Sequence, residues 1–260
     1  MKNIINIENL SFKYTTEDIL KSLNLNVSKG SFISILGPNG SGKTTLLKNI
    51  CNILKPYKGK IFIDNKEINS IKEKDLAKKL AVVHQGTDLE FDFTVYDVAM
   101  MGRYPYLNRF QSEGERDKAI VKEALINTST WHLRDKGINE ISGGERQRVM
   151  IARALAQNPH ILLLDEPISH LDIKHQIDIL KLCKKLNNEK QLTIITTLHD
   201  INMASRYSDH ILLLKDGKIK EMDTPDKVIT EKNIEDVYGI KVDLIKRVED
   251  RNPIIVPKAI

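Results

Sequence analysis

The chain has 260 residues, of which 41% are hydrophobic and 29% charged. This balance is typical of a globular protein with one or two domains, and it excludes a disordered or fibrous chain. The formal net charge of +5 is compatible with nucleic acid or an anionic membrane surface as a partner. Basic and acidic residues are interspersed along the chain, however, which favours an ordinary lysine-rich surface.

No apolar run approaches the roughly 18 residues of a membrane span, and Ile161–Leu164 is typical of the longest. Polar residues interrupt positions 1–10, so we expect no signal peptide and predict a cytosolic location. Cys51 and Cys183 are too few for a disulfide scaffold or a zinc cluster. Both are expected to be small buried residues on apolar helix faces.

Near the N-terminus, apolar and polar residues alternate with the period of half-buried antiparallel strands. The alternating apolar positions are Ile5, Ile7, Leu23, Leu25 and Val27. A buried strand at Phe32–Leu36 then leads through Gly37 into a helix that is expected to finish before Pro56. The apolar face of that helix is predicted to be Leu46, Leu47, Ile50, Ile53 and Leu54.

The middle of the chain predicts two more strands and a helical insertion. The strands are expected at residues 61–64 and 81–84, and a charged helix near Glu115–Asn127 lies in the insertion. A further helix is expected from Ser142 to about Gln157.

Two apolar runs, Ile161–Leu164 and Leu192–Thr196, read as strands that are buried on both faces. The helix between them is expected to present one apolar face, formed by Ile173, Ile177, Leu180, Cys183 and Leu186. Strands that alternate with helices predict a parallel sheet with helices on both sides.

The C-terminal part predicts a β-hairpin in which Ile211–Leu214 precedes a tight primed turn at Asp216-Gly217. Residues 231–238 are predicted to be helical. The tail from Lys241 onward is ambiguous, and two short strands around Asn252-Pro253 are one interpretation.

A glycine-rich segment between the buried strand and the first helix satisfies the phosphate-loop pattern. Its residues are Gly37, Pro38, Asn39, Gly40, Ser41, Gly42, Lys43, Thr44 and Thr45. Glycines let successive backbone N–H groups point into one concavity, and the helix N-terminus adds positive partial charge. Lys43 is then expected to reach the terminal phosphates of a nucleotide, and the Thr44 hydroxyl to bind Mg²⁺.

Two further strands end in residues that could act on the same ligand. Asp165 and Glu166 follow one buried strand, where Asp165 suits a contact to Mg²⁺, direct or through water, and Glu166 could polarise an attacking water. An acidic pair that caps a loop is the alternative. His199 follows the next buried strand and could reach the γ-phosphate, although a histidine there is often structural.

Ser142, Gly143, Gly144 and Glu145 open the helix that ends near Gln157. On its own this is a well-capped helix start, with Glu145 completing a capping box. The order and approximate spacing of all these motifs, however, resemble the ATP-binding cassette (ABC) ATPase family over essentially the whole chain.

The resemblance implies roles for further residues. Tyr14 would stack on adenine, Gln85 would touch Mg²⁺ and the attacking water, and Asp172 would couple two sites of a dimer. In a head-to-tail dimer, the ATP on one copy's phosphate loop would be covered in trans by the other copy's Ser142, Gly143, Gly144 and Glu145. Glu166, His199, Gln85 and Lys43 would form the catalytic set.

The resemblance also implies an α/β fold of the P-loop type, with a mainly parallel sheet and an antiparallel N-terminal subdomain. One cassette would span residues 1–260. Its core would lie at about 1–87 and 159–240, its helical subdomain at about 88–158, and a tail at 241–260.

The strings 98–105, 169–176 and 198–204 resemble the importer group that serves ferric siderophores, haem and cobalamin, to which molybdate importers also belong. This resemblance implies ATP and Mg²⁺ as ligands, a separate membrane permease, an external binding protein as an indirect partner, and a place at the cytoplasmic membrane face. Arg103 and Tyr104 are candidates for the permease contact, the alternative being an ordinary exposed turn. Two alternative functions are an ABC ATPase that acts on nucleic acid or the ribosome, and a regulatory module that binds nucleotide without hydrolysing it. We do not expect nucleic acid as a partner.

Overall fold

A computed structural model describes residues 2–84, 92–108, 112–245 and 252–258. Its strands are β1 (Asn3–Lys13), β2 (Asp18–Ser28), β3 (Phe32–Leu36), β4 (Lys58–Ile63), β5 (Lys66–Glu67), β6 (Leu80–Val83), β7 (Ile161–Leu164), β8 (Thr193–Thr197), β9 (His210–Lys215), β10 (Lys218–Asp223), β11 (Val242–Ile245) and β12 (Ile254–Pro257). Its α-helices are α1 (Lys43–Ile50), α2 (Glu73–Ala77), α3 (Val95–Met100), α4 (Glu115–Asn127), α5 (Gly143–Ala156), α6 (Ile173–Lys190), α7 (Ile201–Tyr207), α8 (Pro225–Val228) and α9 (Glu231–Tyr238).

The chain divides into two compact units, of which the first comprises residues 1–70 and 187–260. Its antiparallel sheet has the order β2-β1-β4-β5, and the alternating residues of β1 and β2 bury one face. A second set of strands has the order β10-β9-β3-β8, in which β3 pairs in parallel with both β8 and β9. All five residues of β3 are buried, as a strand covered on both faces requires.

The second unit comprises residues 71–186. Strands β6 and β7 pair in parallel, with Leu80 opposite Ile161. Helices α3, α4 and α5 pack around a small apolar core, formed by Val95, Val98, Val121, Leu125, Val149 and Ile151. Thr94 caps α3 through a capping box with Asp97, which explains why the helix begins there.

Most of the predicted elements are confirmed, including the charged helix at Glu115–Asn127 and the two short strands of the tail. The predicted hairpin turn is also confirmed, since both Asp216 and Gly217 have positive φ, as a type I′ turn needs.

The predicted length of the first helix is wrong. Helix α1 ends at Ile50, because Asn52 adopts a left-handed conformation with φ of 62° and the following amides turn back to the Lys48 carbonyl. Ile53 therefore lies outside the helix and is 56% exposed.

Two residues of predicted apolar helix faces also lie elsewhere. Cys51 lies just beyond α1 and is half-buried, whereas Cys183 is buried as predicted, and burial raises its thiol pKa to about 12. Ile173 is 68% exposed at the first position of α6, so the buried face of that helix begins further along.

Within the described residues, no helix combines the length and apolar character that a membrane crossing requires.

Arg103 is a structural residue inside the second unit, so its prediction as an exposed contact is wrong. It is only 3% exposed, and its Nε donates to the Asp117 carboxylate at 2.9 Å. Its Nη1 donates to the carbonyl of Ala156 at the end of α5. The guanidinium also stacks on the ring of Tyr106, 3.9 Å from the ring centroid. Arg103 thus ties the 3₁₀ segment Met101–Tyr106 to α4 and α5.

Asp117→Asn is expected to lower the free energy of unfolding by about 2–3 kcal/mol, because it removes one partner of a buried ion pair. The hydrogen bond from Arg103 lowers the pKa of Asp117. The carboxylate therefore stabilises the fold above its unfolded pKa, near 3.9, and this contribution is lost as the pH falls through the lowered value. Urea unfolding at pH 7 and at decreasing pH measures both effects.

The matched control is Glu115→Gln, which removes the exposed pair with Lys118 on the same helix and is expected to change stability little. Equal effects of the two substitutions at pH 7 would contradict the structural role of Asp117.

Candidate functional site

The phosphate-loop residues lie between β3 and α1, as predicted. Gly42 is the N-cap of α1 with φ of 104°, a conformation that favours glycine, and no side chain caps this helix. The first turn of α1 carries backbone N–H groups and the positive end of the helix dipole, which together suit an anionic ligand.

Two buried polar side chains fit a phosphate ligand in this loop. Lys43 is 6% exposed, and its ammonium donates to the carbonyls of Gly37 and Pro38 at 2.9 and 3.1 Å. The Ser41 hydroxyl is buried and has no hydrogen-bond partner among the residues that the structure describes. A fixed cation beside an unsatisfied hydroxyl suits the oxygens of a nucleotide's phosphates.

Tyr14 lies directly after β1 and is 57% exposed. Its hydroxyl is 3.4 Å from the Thr45 hydroxyl, and its ring meets the Phe12 ring edge-on at 4.9 Å. An exposed aromatic ring is thus held beside α1. This position is consistent with stacking on adenine, which stays a prediction.

His199 lies at the same edge of the first unit as the phosphate loop. Strands β3 and β8 are adjacent and parallel, with Ile35 opposite Thr197, so the segments that follow them leave the same edge. The amide of Leu198 donates to the Ile35 carbonyl, and Asp200 caps α7. These contacts fix the backbone on both sides of His199.

Asp165 and Glu166 follow β7 in the second unit. Asp165 is 6% exposed, and its amide donates to the Val83 carbonyl at the end of β6. Glu166 has a φ of 49°, and one of its carboxylate oxygens accepts a hydrogen bond from the Ser169 hydroxyl at 3.0 Å. The two carboxylates are therefore held differently, one buried and one half-buried at the start of a turn.

The start of α5 is the predicted capping box. The Ser142 hydroxyl accepts from the Glu145 amide, while the Glu145 carboxylate accepts from the Ser142 amide at 2.8 Å and from its hydroxyl at 2.7 Å. These bonds lower the pKa of Glu145. Ser142 and Gly143 are exposed, so this helix N-terminus is open to a ligand; the nucleotide contacts of Ser142, Gly143, Gly144 and Glu145 stay predictions.

Asp172 precedes α6 in the second unit and is largely exposed. Its carboxylate accepts from the His175 backbone amide at 2.9 Å and bonds the His175 ring at 2.8 Å. Both hydrogen bonds lower the pKa of Asp172, which keeps it charged.

Two other candidates have different outcomes. Gln85 lies outside the described residues. Tyr104 is 63% exposed, whereas the neighbouring Arg103 is buried. Of the two residues predicted to contact the permease, Tyr104 alone therefore remains a candidate.

Two residues near the candidate site, Tyr238 and His175, were not predicted from the sequence motifs. The Tyr238 hydroxyl has a pKa that burial raises to about 12, while the nearby backbone of Gly37 acts in the opposite direction. His175 contacts both Asp172 and the start of α5. The only sequence signal was the string at 169–176, which indicated a subgroup and assigned His175 no role.

Comparison with known proteins links this geometry to one family. Residues 20–169 match a family model described as ABC transporter. A ferric enterobactin transport ATP-binding protein of Escherichia coli strain K12 is 36% identical over 250 residues, covering 96% of this chain and 92% of that protein.

Two solved structures are similar over most of the chain. An inward-facing ABC transporter described as being of metal-chelate type has a TM-score of 0.87 at 28% identity, covering 100% of this chain and 98% of that one. A dimeric ATP-binding cassette in a post-hydrolysis state, bound to ADP and phosphate, has a TM-score of 0.72 at 35% identity, covering 85% and 98%.

Lys43→Ala is expected to weaken nucleotide binding by roughly 100-fold, because it removes charge-assisted hydrogen bonds to the phosphates. Calorimetric titration with Mg-ATP measures this loss. Lys48→Ala, in the last turn of the same helix, is the control and should retain wild-type affinity. Unchanged affinity in Lys43→Ala would remove the basis for assigning a phosphate loop.

Proposed function

The chain belongs to the ABC transporter family, and from this premise we propose that it is the ATP-hydrolysing subunit of an importer for a ferric siderophore. The predicted family resemblance is confirmed, and so is the α/β fold with a mostly parallel sheet and an antiparallel N-terminal sheet. The protein binds ATP and is an ATPase whose hydrolysis is coupled to transport.

The observation that carries the site assignment is the combination, at the start of α1, of buried Lys43 with a buried Ser41 hydroxyl that has no partner in the described part of the chain. We assign the phosphates of ATP to this loop and its adenine to Tyr14. Thr44, Gln85 and Asp165 are the residues proposed to hold Mg²⁺, directly or through water, and the ion would neutralise phosphate charge.

Glu166 is proposed to orient and polarise the water that attacks the γ-phosphate. We assign Glu166 mainly a positioning role, in which its carboxylate orients the water. The Ser169 hydroxyl supports this role because it holds one carboxylate oxygen in place. His199 is proposed to contact the γ-phosphate, and Lys43 to stabilise its developing charge.

The working form is proposed to be a head-to-tail homodimer. The exposed start of α5 at Ser142 and Gly143 supports this proposal, since its backbone amides can meet an anion held by a second copy. Dimerisation of a similar cassette supports it further. Asp172, exposed and charged, would couple the two sites.

One cassette is proposed, with its core at about 1–87 and 159–240, a helical subdomain at about 88–158 and a tail at 241–260. Tyr104 is proposed to contact the permease from the cytoplasmic face of the membrane, because its ring is exposed on a segment that Arg103 anchors. An external binding protein would act only through the permease.

The ferric siderophore is proposed as cargo because one relative is a ferric enterobactin transport protein and one structural neighbour is described as of metal-chelate type. Haem, cobalamin and molybdate are further cargoes of the resembled group. Cargo would be selected by the permease and the binding protein, since this chain would not touch it.

Copurification followed by transport tests this proposal. A tagged chain is expected to retain a polytopic permease, and cells that carry both should take up ⁵⁵Fe-labelled ferric siderophore in an ATP-dependent manner. Uptake of labelled cobalamin or haem instead would overturn the cargo assignment, and recovery of nucleic acid or ribosomes in place of a permease would overturn the importer.

Glu166→Gln is expected to reduce ATP turnover by roughly 100-fold or more while leaving ATP binding intact, because the amide cannot polarise water as a carboxylate does. The variant should therefore form a dimer with ATP in size-exclusion chromatography. Glu189→Gln, an exposed residue near the end of α6, is the control. Normal turnover in Glu166→Gln would contradict the assigned role.

A further inference from the structure

His175, in the first turn of α6, touches two segments that the proposed dimer uses. Its ring Nδ1 lies 2.8 Å from a carboxylate oxygen of Asp172, and its backbone amide donates to the other oxygen at 2.9 Å. The side chain therefore has a defined orientation, and the Asp172 carboxylate is held by two bonds to a single residue.

The same ring fills the space beside Gly144, the buried second residue of α5. A Cβ atom on Gly144 would lie 2.4 Å from Cδ2, 2.7 Å from Cγ and 3.1 Å from Cβ of His175. Rotation of the ring about its own axis cannot relieve this overlap, because Cγ and Cβ do not move with it. A side chain at position 144 would thus displace His175 and break its bond to Asp172.

The contacts continue from His175 back to the catalytic carboxylate. The Gln176 side chain donates to the Leu171 carbonyl at 2.9 Å, and the Ser169 hydroxyl donates to Glu166 at 3.0 Å. The backbone amide of Ser169 also donates to the Glu166 carbonyl. The short segment 166–172 is therefore fixed at both ends. The His175 ring packs against Gly144 of α5, and the Leu171 side chain lies beside Gly143.

We propose that His175 is a positioning residue that holds Asp172 and segment 166–172 in register with the start of α5. The inference rests on the proposed function, in which Asp172 and the start of α5 both act on a second copy of this chain. In the proposed dimer, Asp172 and the start of α5 of one copy contact the second copy at the same time. The position of Asp172 relative to the start of α5 therefore determines how well ATP is enclosed.

The contact itself is tested by a double-mutant cycle on the nucleotide-free protein, with Gly144→Ala, His175→Ala and the double variant. Gly144→Ala alone is expected to lower the thermal unfolding midpoint by several degrees through overlap with the ring. In the His175→Ala background the same substitution should lower the midpoint far less, because the ring atoms at 2.4 and 2.7 Å are gone and only the Cβ atom at 3.1 Å remains. Additive shifts would overturn the proposed contact, whatever the dimer does.

The role in turnover is tested by His175→Ala, His175→Asn and His175→Gln, with kcat and the affinity for Mg-ATP measured separately. His175→Ala should lower kcat on the order of 10–100-fold, because Asp172 and segment 166–172 would be slightly misplaced. The affinity for Mg-ATP should change little. Asparagine places an N–H donor near the position of Nδ1 and should recover most of the activity, whereas glutamine should not.

Wild-type kcat in His175→Ala, or equal recovery by asparagine and glutamine, would overturn the positioning role. Failure of the proposed function is distinguishable, because the chain with native His175 would then show no ATPase activity and its Glu166→Gln variant would form no dimer with ATP.

Discussion

The proposed ATP site depends on one property of α-helices, which is that the backbone N–H groups of the first turn have no partner within the helix. Helix α1 begins at Gly42 without a side-chain cap, and helix α5 begins at an exposed Ser142 and Gly143. Each start can bind an anion, and each carries the positive end of a helix dipole. The proposed dimer uses both on the same phosphate group, one from each copy.

The rest of the structure serves to place these helix starts. Strand β3 is buried along its whole length, so the loop that follows it leaves the sheet at a fixed edge. Parallel pairing with β8 brings His199 to that edge in the same unit. In the second unit, the Arg103 ion pair with Asp117 and its bond to the Ala156 carbonyl fix the far end of α5. His175 is the corresponding contact at the start of that helix.

Local pattern predicted the elements well, because periodicity and turn chemistry act over a few residues. The type I′ turn at Asp216-Gly217 and the capping box at Ser142 are examples. Long-range packing was not predictable in the same way. Arg103 looked like a surface residue because its partners lie 14 and 53 positions away. The string at 169–176 includes His175, but nothing in it indicated a contact with Gly144. The end of α1 depended on a left-handed Asn52 that apolar spacing could not reveal.

The most direct test of the shared site is cross-linking between two variants that each carry one introduced cysteine, Asn39→Cys in the phosphate loop and Ser142→Cys at the start of α5. A tag on one of them makes the two chains distinguishable by size. Both carry Glu166→Gln so that ATP is retained. Native Cys183 is buried with a raised thiol pKa, and a Cys51→Ser background removes the other thiol. A cross-link between the two different chains is expected with Mg-ATP, and little without nucleotide. No cross-link with ATP, or equal cross-linking in its absence, would contradict an ATP site shared between two copies.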